Sequence, residues 1–395
     1  MHSQKKTANT KGIFILPLFV IAFLVQADYL IMVPLSMKVA NSTGVSLTHT
    51  GLLISIYPIA AAVSAFFFAP FSDRIGRKKM LTYLIIGFCF SSLGCAFSYS
   101  TEHIFLFRIL SGVFGGIIIP NALAFVSDTF EGKQKIRSLS TLILSFPVAS
   151  VLGVPLGAWV GDAFSWRTPF IFIAIVSLIV GLFILKLPTI KGYQEDNIYE
   201  QYRELLALWY DNKNRSVFAV QFLMLIGLFG FIPQISTWLT LNFQMSTTEI
   251  GFCFMQGGIG AILGNITARH LLQRGHDTSL ISMGSFVMAV TLLLVTMELL
   301  RPSLIGLGFA FCMFGGALRM PAHQVILSDL VSIKLRGRLL SMNMIVANIS
   351  MGLGGIWSYP LLSVESGLLV GMEQIGWVSF ITLCFIPILI HRTKK

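Results

Sequence analysis

Four ionisable side chains stand inside long apolar runs: Asp28 in Gln26-Ala-Asp28-Tyr29-Leu-Ile-Met-Val-Pro34, Arg108 at the head of Arg108-Ile-Leu-Ser-Gly112, and Arg319 and His323 further on. A charge at the centre of a hydrocarbon layer costs on the order of 3 kcal/mol or more unless it is paired or hydrated, so each marks a place where chemistry is wanted. Asp28 can bind and release a proton or meet a cationic group. Arg108 stays charged at any accessible pH, and beside an acid it makes a pair with two alternating states. Arg319 and His323 are four residues apart, hence on one face of a helix. They suit an anionic group, or they extend a proton path, because imidazole changes charge near neutral pH. Asp28 argues for a cationic compound and Arg319 with His323 for an anionic one, and both readings stay open at this level. All four are expected around one central, water-accessible cavity, since charges facing lipid would be expensive.

The elements that position these groups follow from composition. Hydrophobic residues make up 55% of the chain and charged residues 11%, against roughly 25% charged in a soluble domain, and the mean hydropathy is +0.80. Stretches near the ~20 residues needed to cross a bilayer fall at 13–35, 50–71, 80–99, 103–127, 139–162, 168–187, 216–238, 249–271, 278–299, 303–327, 338–362 and 369–391. The fold class is therefore an all-α membrane protein of twelve transmembrane helices, with both termini on one side. The run Arg74, Arg77, Lys78, Lys79 orients it, because Lys and Arg accumulate in short cytoplasmic loops. Only Lys38, Arg167 and Arg301 fall on the opposite face. The net charge of +11 is then topology, and its scatter over many loops argues against a nucleic-acid partner. The basic N-terminus before an apolar run reads as the first helix rather than a cleaved signal, since the run is long and carries Asp28. The five cysteines all fall within spans, with no disulfide or metal-ligand spacing. Phosphate-binding, HExxH and GxSxG patterns are missing, so an enzyme is not expected.

An internal repeat sets the architecture. Phe114-Gly-Gly-Ile-Ile-Ile-Pro120 with Ser127-Asp128 recurs as Phe314-Gly-Gly-Ala-Leu-Arg-Met-Pro321 with Ser328-Asp329, a period of about 200 residues. Two parallel six-helix halves follow, residues 1–187 and 216–395, joined by a polar linker at 188–215 that contains an amphipathic, interfacial segment. Whether that linker binds a partner is not legible. Arg319 and His323 have apolar or small counterparts in the first half, so they break the repeat. Tyr29, Tyr57, Phe229 and Phe254 are the candidate cavity aromatics, with Gln221, Gln234, Gln256, Gln324, Asn343 and Asn348 as neutral hydrogen-bonding groups in the second half.

The link Ala69-Pro-Phe-Ser-Asp73-Arg74-Ile-Gly76-Arg77-Lys78-Lys79 resembles the signature loop between the second and third helices of the major facilitator superfamily, with Ala69 at its usual leading glycine. The resemblance implies that Asp73, Arg74, Gly76 and Arg77, with Asp128 at the end of the fourth helix, form a cytoplasmic gate. Arg108-x-x-x-Gly112 resembles the arginine motif of proton-coupled members, with Ser111 where glutamine is frequent. The segment carrying Pro147, Gly153, Pro155 and Gly157 resembles the antiporter motif, and Gly153-Val-Pro-Leu-Gly157 followed by Ser165-Trp-Arg-Thr168 is similar to the arabinose-efflux-permease-like branch of the twelve-helix drug:proton antiporters. That resemblance implies proton-coupled efflux of a small organic compound or drug by alternating access, with protons as the coupling ion and no cofactor or metal. It places the chain as a monomer in the bacterial inner membrane, with both termini cytoplasmic. The alternative on the same fold is a proton-coupled importer or facilitator of a metabolite or metallophore.

Overall fold

The computed structural model describes residues 14–189, 198–275, 277–330 and 333–393. In hydrocarbon each backbone N–H and C=O must be satisfied within its own segment, and the apolar runs accordingly become helices. The first six crossings are α1 (Ile15–Thr43), α2 (Thr50–Ile75), α3 (Arg77–Ala96), α4 (Thr101–Thr129), a broken fifth, and α8 (Thr168–Ile184). The fifth consists of α5 (Gly132–Ile143), α6 (Ser145–Val148), a π-turn at Ala149–Gly153 and α7 (Val154–Ala163). After α9 (Ile198–Tyr210), the seventh crossing runs through α10 (Asn212–Phe229), a 3-10 turn at Ile232–Gln234 and α11 (Ile235–Phe243). The chain ends with α12 (Thr247–Leu272), α13 (Asp277–Thr296), α14 (Ile305–Asp329), α15 (Ile333–Ser358) and α16 (Met372–Thr393). Eleven of these stretches are long and apolar enough to cross a membrane, and the shorter apolar α8 makes the twelfth. Short connections force neighbours antiparallel, which leaves one basic end, carrying Arg77, Lys78 and Lys79, and one opposite end, carrying Lys38, Arg167 and Arg301.

Both breaks have a covalent cause. Pro155 has no N–H, and its ring clashes with the carbonyl four residues back, which falls in the π-turn. Pro233 sits at the start of the 3-10 turn that separates α10 from α11. Non-helical backbone at membrane depth is tolerated where it faces a cavity rather than lipid, and Ser150 and Ile232 of these two breaks line the cavity described below.

Two boundaries differ from the sequence reading. The first helix continues beyond the apolar run, through Pro34 and Lys38 to Thr43, and closes on Gly44 at φ 78°, a left-handed C-cap that glycine adopts without strain. Residues 369–371, expected in the last span, are not helical: Ser363–Glu365 and Leu368–Val370 form an antiparallel hairpin. Ser366 and Gly367 turn it with φ 52° and 84°, the two-residue geometry that matches strand twist. Asn242 pins this hairpin, donating to the Leu369 carbonyl at 3.1 Å and accepting from its N–H at 2.9 Å.

The amphipathic segment expected in the linker is α9. Its Leu208 is buried beside Val217 and Phe218, and Trp209 stacks on Phe218 with ring centroids 5.7 Å apart. The Tyr202 hydroxyl donates to the Phe67 carbonyl at the basic end of α2, at 2.8 Å. Thus α9 touches the first six crossings through Tyr202 and the last six through Leu208 and Trp209.

Candidate functional site

Asp28 on α1 and Arg108 on α4 meet in a fully buried ion pair, Nη1 to Oδ2 at 2.9 Å, with both side chains 0% exposed. The same Nη1 lies 3.4 Å from the Asp28 carbonyl oxygen. The guanidinium sits over the Tyr57 ring, 4.9 Å from its centroid, and Tyr57 packs on Tyr29 at 5.1 Å. Asp28 Oδ1, Arg108 Nε and Nη2, and both tyrosine hydroxyls have no hydrogen-bond partner among the described residues, so the group keeps unused donor and acceptor capacity around a paired charge. The glycines near Arg108 explain how α2 and α4 come so close. A Cβ on Gly112 would strike the Tyr57 carbonyl, and one on Gly115 the Tyr57 hydroxyl.

The glycine-rich fifth crossing seats the same α1 from another side. Gly153, Gly157 and Gly161 face Ala27, Ile31 and Leu35 respectively, so two sets at four-residue spacing interlock one turn at a time. The other flank of this segment meets α12, where Gly251 lies against Ala158 and Pro155, and Gly258 against Ser150 and Val151. Gly157→Val is therefore expected to overpack the α1 contact, lowering stability by about 1–3 kcal/mol. The check is a larger fall in the midpoint of thermal unfolding in detergent than Gly181→Ala gives, a glycine outside this interface whose Cβ would meet only the Ile85 side chain, at 3.3 Å.

Between the first and last six crossings lies a cavity of about 530 Å³, within the roughly 300–1,000 Å³ range of small-molecule sites. Tyr29, Tyr57, Phe229 and Phe254, the aromatics singled out from the sequence, all line it. The neutral polar groups fit less well. Of the six named, Asn348 is a liner, while Gln26 and Asn265 contribute where sequence reasoning had not placed them. It also missed a methionine wall, Met313 and Met320 on α14 with Met344 and Met351 on α15. Each pair is seven residues apart, two turns on one face, and that spacing was the available signal.

The four charged candidates do not share this cavity. Arg319 lines it, but Asp28, Arg108 and His323 are not among its lining residues. The tyrosine pair stands in between: Tyr29 and Tyr57 line the cavity and Tyr57 covers the Arg108 guanidinium. His323 is fully buried and its Nε2 is 3.1 Å from the Val217 carbonyl on α10, which leaves Nδ1 unpartnered. Arg319 also turns to α10 and α13, donating to the Met224 carbonyl at 2.5 Å, to Ser285 Oγ at 3.3 Å and to Met288 Sδ at 3.0 Å. The expectation that none faces lipid does hold, since all four are at most 1% exposed.

Of the gate residues, Arg77 Nε lies 3.3 Å from Asp128 Oδ2, tying the start of α3 to the end of α4. Both belong to the first six crossings, so this pair alone cannot join the two halves. Gly76, at φ 90°, makes the sharp turn between α2 and α3 that places Arg77. Arg74 is exposed in the last turn of α2. The Asp73 side chain lies outside the described residues.

At the opposite end the two sets of crossings are bonded directly. Thr50 Oγ1 and Thr237 Oγ1 are 2.6 Å apart, and Ser236 Oγ donates to the Pro34 carbonyl at 3.3 Å. Asp162 accepts from Lys38 at 2.6 Å and, through its other oxygen, from Thr248 of α12 at 2.8 Å.

Twelve apolar crossings around an internal cavity, with hydrogen bonds joining the two sets at one end, define a multi-pass α-helical membrane protein. The chain belongs to the Major Facilitator Superfamily, which it matches over residues 18–355. Among curated relatives it is 26% identical over 264 residues to the putative transporter AraJ of Escherichia coli, covering 65% of each chain. It is 25% identical over 279 residues to the chloramphenicol resistance protein CraA of Acinetobacter baumannii, covering 67% of this chain and 65% of the relative. These matches thus span about two thirds of the relatives' length. A solved bacterial homologue of the human lysosomal transporter Spinster, in an inward-facing and occupied conformation, superposes with a TM-score of 0.76 at 14% identity, covering 97% of both chains.

Proposed function

We propose that this protein exports a small organic compound in exchange for protons by alternating access, as a monomer in a bacterial inner membrane. The observation that carries the reading is the buried Asp28–Arg108 pair, set behind two tyrosines that line the cavity. A carboxylate whose cation can be left or regained is a two-state element, and cargo in the cavity presses on it through Tyr29 and Tyr57. Protonation of Asp28 releases Arg108, and release of the proton restores the pair. The residues 1–187 and 216–395 are the rocking halves, with 188–215 as their link. The positive-inside rule puts the basic end and both termini in the cytoplasm. With the opposite end bonded shut by Thr50–Thr237 and Asp162–Thr248, cargo enters from the cytoplasmic side. Asp73, Arg74, Gly76, Arg77 and Asp128 act at that gate, and Pro147, Gly153, Pro155 and Gly157 form the hinge-bearing fifth crossing. The resemblance to a chloramphenicol resistance protein supports the outward direction.

The test is a ligand-stabilisation screen of the purified protein with lipophilic cations, sugars, chloramphenicol and organic acids. Compounds that bind are then followed in proteoliposomes with and without an imposed pH difference. The expected result is movement driven uphill by the proton gradient, with counterflow of protons seen by an entrapped pH dye. Equal movement with and without the gradient would overturn proton coupling. Movement in the same direction as the proton would make the protein a symporter, the importer alternative.

A further inference from the structure

The charge of the cavity is one-sided. Among its described lining residues Arg319 is the sole charged side chain, and no aspartate or glutamate faces it. The acid that sequence alone would offer to a cationic cargo, Asp28, is fully buried, is already paired with Arg108, and does not line the cavity. Among the described residues no acid pairs with Arg319. Its described acceptors are a carbonyl, a hydroxyl and a thioether, all neutral, and its Nε has none. The side chain is 1% exposed, so its charge is desolvated with no counter-ion, an arrangement that is costly to keep unless something completes it.

The repeat shows that the fold itself does not ask for this cation. The equivalent stretch of α4 reads Ile117-Ile118-Ile119, and Ile119 lines the same cavity. The wall also carries aromatics and methionines, among them Tyr29, Phe229, Phe254, Met313 and Met320, surfaces that take up flat, polarisable bodies. A guanidinium presents a planar fork suited to a carboxylate.

We infer that the cargo is an amphipathic organic anion, an aromatic carboxylate or a close equivalent, whose anionic group pairs with Arg319 while its apolar body lies against the aromatic and methionine walls. The inference rests on the cavity being the transport site. A cation would meet an unopposed positive charge there, and a neutral compound would leave Arg319 unpaired.

The experiment compares three probes of one shape by equilibrium dialysis against purified protein in neutral detergent: biphenyl-4-carboxylate, biphenyl-4-carboxamide and biphenyl-4-methylammonium. The carboxylate is expected to bind about tenfold or more tightly than the amide, the scale of one charge-assisted hydrogen bond, and the ammonium most weakly. Arg319→Gln should erase the preference, and Arg319→Lys, which keeps the charge but loses the fork, should retain part of it. Amide or ammonium binding as tight as carboxylate in the wild-type protein, no binding of any of the three, or a preference that survives in Arg319→Gln would overturn the inference. If Arg319→Gln does not fold, the wild-type ranking and Arg319→Lys still decide. A carboxylate that binds with this preference but ignores a proton gradient would count against the exporter reading and leave this one standing. Gradient-driven movement of cations or neutral compounds with no preference for the anion would do the reverse.

Discussion

Asp28→Asn is expected to bring gradient-driven accumulation in proteoliposomes down to background. An amide of nearly the same shape cannot take up or release the proton that the proposed cycle needs. The ion pair adds a second consequence that shape alone would not suggest. Arg108 is buried and donates to the Asp28 carboxylate, and removing one partner of a buried pair costs about 3–5 kcal/mol because the other charge is left uncompensated. The single variant should therefore also unfold at lower temperature. The double variant Asp28→Asn/Arg108→Gln removes both charges, and it should regain most of that stability while staying uncoupled. Thermal unfolding and flux measured on the same preparations separate the two effects. Full gradient-driven accumulation in the double variant would mean that the proton is carried elsewhere, with His323 the next candidate because its Nδ1 is unpartnered at 0% exposure.

A disulfide across the sealed end should stop transport altogether. Thr50 and Thr237 come from opposite halves and their hydroxyl oxygens are 2.6 Å apart, so cysteines at both positions are placed to bridge. The five native cysteines are free, and the engineered pair, at positions that are 0% exposed, is favoured for bridging by its proximity. Under oxidant, Thr50→Cys/Thr237→Cys protein should lose flux in proportion to the cross-linked fraction, and reductant should restore it. Either single cysteine variant should be insensitive to both. Undiminished flux in fully cross-linked protein would show that this end does not open, and alternating access between these halves would be wrong.

Much of the fold was legible because a bilayer imposes a simple rule on composition. Apolar length alone placed the twelve crossings, and Phe114-Gly-Gly against Phe314-Gly-Gly exposed the repeat. The charged candidates were legible for the same reason, since Asp28, Arg108, Arg319 and His323 interrupt runs that otherwise tolerate no charge. The hairpin at Ser363–Val370 was not, because its Leu368-Leu-Val370 is as apolar as a helix end, and what makes it a strand is the positive φ of Ser366 and Gly367.

Which charges meet was beyond the sequence. Spacing relates Arg319 to His323 through one helix, but no local rule relates residue 28 to residue 108. Their pairing depends on Gly112 and Gly115 letting α4 close on α2, and on the fifth crossing interlocking with α1 through Gly153, Gly157 and Gly161. The sequence by itself determined a twelve-helix membrane protein built as a doubled unit, with its basic residues gathered at one end, because hydrophobic length and charge asymmetry act residue by residue. Only the tertiary structure decided that Asp28 is spoken for by Arg108 and that Arg319 lines the cavity with no acid beside it among the described lining residues. Burial and partnership are properties of contacts between helices far apart in the chain.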